Sequence, residues 1–97
     1  MPITLALPHG ARHELGNDDA RLLARRLWHV GAAGLAPRGP ALAAAIADAF
    51  VGDFTVEVRE ADLGALRAVL FRLGATMSLS PGLAALQAAL GPASAGR

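Results

Sequence analysis

The chain has 97 residues, a formal net charge of +1, no cysteine, and nine basic residues that are all arginine. That length suits one small domain, and a charge so near neutral supplies no long-range field to gather nucleic acid or an anionic membrane. The missing thiol excludes disulfides, thiolate metal sites and cysteine nucleophiles, and fits a reducing compartment.

Apolar residues make up 54% of the sequence but aromatics only 4%, so the excess over the usual level of about 45–50% is alanine and leucine. Extra apolar surface on so short a chain points to burial against a partner. The opening residues carry no basic leader, and Pro8 cuts their apolar run too short for a signal peptide. No window supplies the roughly 18 apolar residues of a membrane span. The expectation is a soluble, cytoplasmic protein with no membrane partner.

In chain order, Ile3, Leu5 and Leu7 alternate with Thr4 and Ala6, which predicts a strand over residues 2–7 that Pro8 ends. Residues 9–16 are polar, contain two glycines, and read as a loop. A first helix follows from Asn17 or Asp18, both good caps, with Asp18 and Asp19 matched to the positive end of its dipole. Leu23, Leu27 and Val30 form its apolar stripe, widened by Ala20, Leu22 and Ala24. Arg21, Arg25 and His29 share another face, with Arg26 beside them. Trp28 falls at the border and is read as a core-edge residue in preference to an interface anchor.

The run ends at Gly31, and residues 31–40 form a connection. Pro40 suits the first turn of a second helix reaching Val51. Leu42, Ile46, Ala49 and Phe50 make its core stripe, while Ala41, Ala44 and Ala45 leave the other side nearly bare and Asp48 is its only charge. The clearest stretch is 53–74. Phe54, Val56 and Val58 alternate with Thr55, Glu57 and Arg59 as in a half-buried strand. The period then changes, with Leu63, Leu66, Leu70 and Leu73 marking a third helix over 61–73 that stops at Gly74. Gly64 within it marks either a close helix crossing or a tolerated cost of about 1 kcal/mol. Residues 75–80 read as an extended loop, with a third strand as the alternative. Ser80 and Pro81 open a fourth helix, 81–90, carrying Leu83, Leu86 and Leu90. Residues 92–97 read as a disordered tail.

The expected fold is one small two-layer α+β domain over residues 1–91, in the order β-α-α-β-α-α. Two strands, or three if 75–80 adds one, pack against Ala/Leu-rich helices. Two strands alone make a marginal sheet, and pairing with a second copy is the ready remedy.

No serine stands in a nucleophile elbow, no glycine-rich loop fits phosphate, and no carboxylate pair faces across apolar elements. The expected function is therefore non-enzymatic and without a cofactor: a protein-interaction or assembly module, self-associating as a homodimer or binding another protein. Its interface candidates are Trp28, Arg21, Arg25, Ala41, Ala44, Asp48, Leu83, Leu86 and Leu90. A rival reading is a nucleic-acid-binding or regulatory protein using Arg21, Arg25 and Arg26. Asp18 and Asp19 offset that face, and it lacks aromatics on which bases stack. A third is a metal site at His9, His13 and Glu14, since two histidines four apart can grip zinc on a helix. A glycine-bearing loop lacks the rigid support such a site needs, so a solvated loop is preferred there.

Overall fold

A computed structural model of the chain describes residues 2–34 and 38–90. The elements run β1 (Ile3–Ala6), β2 (Arg12–Leu15), α1 (Asn17–Ala32), α2 (Gly39–Ala49), β3 (Thr55–Glu57), α3 (Glu60–Thr76) and α4 (Pro81–Leu90). This is the expected small α+β domain, with four helices and a sheet of three strands in the order β2-β1-β3. The third strand is not at 75–80, where α3 continues to Thr76. It is β2, inside the segment read as a loop, and it pairs antiparallel with β1 so that Leu5 faces His13 and Ile3 faces Leu15. A single 3-10 turn at Pro8–Gly10 makes the hairpin, with Gly10 at φ 82 in the left-handed region that glycine enters at little cost.

β3 joins the other edge of β1 in parallel, Leu5 beside Val56. Ile3, Leu5, Leu15, Val56 and Val58 face inward and share one core with Leu23, Leu27, Ile46, Leu66, Leu70, Leu73, Leu83 and Leu86. The alternate residues Glu14, Thr55 and Glu57 are exposed on the sheet's other face. That is the pattern of an antiparallel-type sheet with one wet side. Phe54, expected as the first inward strand residue, instead sits at φ 59 just before β3. Its N–H donates to the Ala49 carbonyl at 3.0 Å, and its carbonyl accepts from the Thr4 N–H at 2.8 Å. Both backbone groups are thus bonded in a left-handed conformation that costs a non-glycine residue about 1–2 kcal/mol.

α1 and α2 form an antiparallel hairpin whose crossing is set by glycine. A methyl on Gly39 would lie 2.3 Å from the Leu27 carbonyl oxygen, and one on Gly31 would lie 2.0 Å from the Pro40 ring. Gly64, the residue expected to mark a crossing, has nothing within 4 Å of such a methyl. The close approach belongs to the hairpin and not to α3. Gly74 does not end α3 either, because the chain there stays out of the left-handed region. The Thr76 hydroxyl closes the helix by donating toward the Arg72 and Leu73 carbonyls at 3.3 and 3.2 Å.

α4 spans the residues its Ser80-Pro81 start predicts, with the Leu83 N–H donating to Ser80 Oγ at 3.2 Å. Its far end is tied to α3 by Arg67, whose Nε and Nη2 both donate to the Leu90 carbonyl at 3.2 and 2.9 Å. The tail 92–97 and the connecting residues 35–37 lie outside the described residues.

Candidate functional site

Of the candidate metal set, His13 and Glu14 lie on different faces of β2. Neighbours on a strand point to opposite faces, so β2 directs His13 inward beside Leu15 and leaves Glu14 exposed. His13 Nε2 lies 3.1 Å from the Gly82 carbonyl, to which it donates, tying β2 to the first turn of α4. The side chain of His9 lies outside the described residues, among which no group of three metal-ligating side chains comes together. His13 is therefore a structural strut. His13→Ala is expected to cost about 1 kcal/mol, the net worth of one such hydrogen bond, read as a thermal midpoint lower by roughly 4–8 °C.

The structure also assembles a polar site that sequence reasoning missed. Asp62, in the first turn of α3, is only 3% exposed. One carboxylate oxygen accepts the Arg59 N–H at 3.0 Å, and the other accepts Arg38 Nε at 2.9 Å. Asp62 thus caps its own helix and pins the segment leading into α2. Its only signal in the sequence is an acidic residue three positions after the extended Arg59, half of a capping box without the serine or threonine.

The arginine face of α1 is divided in the folded chain. Arg21 lies over the ring of Phe50, the residue that follows α2, 5.3 Å from its centroid, a cation–π contact worth about 0.5–1 kcal/mol at an exposed site. Arg26 and His29 turn the other way, toward α3. Trp28 does not belong to the core edge: it is 56% exposed. The helix is anchored by Leu23, Leu27 and Val30, which leaves residues 21, 25 and 28 as one outward stripe. Beside it, the outer side of α2 presents Ala41, Ala44 and Asp48, all exposed, and Val51 just past its end is 89% exposed. Leu83, Leu86 and Leu90, expected at an interface, are instead buried in the core, because α4 turns them against the rest of the domain. Its outward residues are Ala84, Ala85, Ala88 and Ala89. α3 carries one exposed ring, Phe71, at 69%.

The last two turns of α1 and α3 border a groove of about 230 Å³ lined by Arg26, His29, Val30, Ala33, Val69, Arg72, Leu73 and Thr76. Its floor is aliphatic and its rim is basic. Among the described residues, no helix is long and apolar enough to cross a membrane. Compared with protein-family models, curated proteins and solved structures, the chain finds no match.

Proposed function

We propose that the chain is a non-enzymatic assembly module that pairs with a second copy through the outer face of the α1–α2 hairpin. The observation that carries this reading is Trp28, the only tryptophan in the sequence and more than half exposed. It stands in line with Arg21 and Arg25 and beside the alanine face of α2. Tryptophan and arginine dominate the energetics of interfaces, and small residues let a second backbone approach closely. Arg25 and Asp48 carry opposite charge on this face, with no ion-pair partner among the described residues. A two-fold axis through the hairpin brings the arginine stripe of one copy against Asp48 of the other.

Sedimentation equilibrium at tens of micromolar tests the proposal. The expected species is a dimer of about twice the 9.9 kDa chain mass, with the tryptophan emission shifted to the blue as it forms. Trp28→Ala combined with Ala44→Glu is expected to weaken association by at least about thirtyfold, the effect of losing one hot-spot side chain. A strict monomer at that concentration, or a dimer indifferent to both substitutions, would overturn it.

A further inference from the structure

The groove between α1 and α3 lies on the flank of α1 turned away from the α2 side, so it is separate from the proposed dimer face. Three basic side chains border it, Arg26, His29 and Arg72, and no acidic residue does. None of the three has a side-chain hydrogen bond or ion pair with the described residues. Cations near helix C-termini ordinarily serve the unpaired carbonyls there. Here the carbonyls bonded near the two helix ends are bonded by other groups, not by these cations. His29 and Gly31 accept from the N–H groups of Ala33 and Gly34 at 3.1 and 2.9 Å. Arg72 and Leu73 are met by the Thr76 hydroxyl, and Leu73 also by the Met77 N–H at 2.9 Å. The arginines are left over.

Charge and size together define the occupant. Two guanidinium groups face two helix C-termini, each equivalent to roughly half a negative charge, so these groups balance at about one positive charge. That matches a monoanion better than a dianionic phosphate. The floor of Val30, Val69 and Leu73 wants an apolar body against it. A volume of about 230 Å³ falls below the roughly 300–1,000 Å³ of pockets for drug-sized ligands. We infer that the groove binds a small organic monocarboxylate, its carboxylate held by Arg26 and Arg72 and its aryl or short alkyl body laid on the aliphatic floor.

Titration of the isotope-labelled protein with benzoate, followed by amide chemical shifts, tests this. Saturable shifts are expected at residues 26–33 and 69–76, with a dissociation constant of about 1 mM for so small a ligand. Benzamide, equal in shape but uncharged, is expected to bind at least about tenfold more weakly, and so are Arg26→Gln and Arg72→Gln toward benzoate. Both positions are exposed, and the unliganded spectra of the variants report whether the fold is kept. Phenyl phosphate should bind less tightly than benzoate. Absence of saturable shifts, equal binding of benzamide, or shifts centred on Arg21, Arg25 and residues 41–48 would overturn the site. Tighter binding of phenyl phosphate would overturn its assignment to a monocarboxylate.

Discussion

Gly39→Ala is expected to cost about 3 kcal/mol or more, at the upper end for overpacking by a single methyl group. The new methyl would lie 2.3 Å from the Leu27 carbonyl oxygen. That atom is main chain inside α1, so it cannot swing aside as a long side chain would. The two helices would have to separate, opening the contact between Leu27, Leu42 and Ile46. Domains of this size have only about 5–15 kcal/mol in hand, and the thermal midpoint should fall by more than about 12 °C. Gly64→Ala is the matched control. It makes the same chemical change in an exposed helical turn with nothing within 4 Å of the new methyl, and should raise stability by about 0.5–1 kcal/mol. Urea titrations of both variants give the comparison. Equal effects would mean that α1 and α2 are not packed backbone to backbone.

Asp62→Ala carries the second large effect, a loss of about 2–3 kcal/mol. It strands the Arg59 N–H and removes both bonds to a charged acceptor, each of the stronger kind. The loss is held below the range for a fully buried pair, because the Arg38 side chain is 48% exposed and regains water when released. Asp62→Asn should lose less, since its amide oxygen still accepts from Arg59. Arg38→Ala leaves the buried carboxylate with one partner and should cost about 1–2 kcal/mol. Residues in one network do not add, so the double variant Arg38→Ala/Asp62→Ala should fall short of the sum by about 1 kcal/mol. Strict additivity in denaturant melts would show that the pair does not couple the α2 entry to α3.

The helices are legible because their signals are local. Leucines at three- and four-residue steps place the inward faces of α1 and α3, and Ser80-Pro81 marks the start of α4 to the residue. The misses occur where long-range packing outweighs local pattern. β2 reads Arg-His-Glu-Leu, a strand with one aliphatic residue, and it exists because β1 offers an edge and α4 offers a carbonyl to His13. Trp28 follows the apolar run of α1 but stays outside, since Leu27 and Val30 already fill the space toward the core. Gly74 looks like a stop, yet the backbone ladder of α3 runs two residues further, with the Met77 N–H donating to the Leu73 carbonyl. For the candidate sites, Arg21, Arg25 and Asp48 could be named from charge alone. The groove could not, because Arg72 meets Arg26 and His29 only once α3 lies beside α1.

The backbone bonds of Phe54 bear on how the sheet comes together during synthesis. β1 and β2 can pair as soon as they leave the ribosome, but β3 arrives only after both helices of the hairpin have been made. Until then one margin of β1 stays bare, the kind of open template on which nascent chains stick to one another. When β3 does arrive, a single residue bonds to Ala49 on one side and Thr4 on the other. The end of α2 and the closed sheet are therefore joined through one residue. The bare margin of β1 is covered only once residues 55–57 lie beside it.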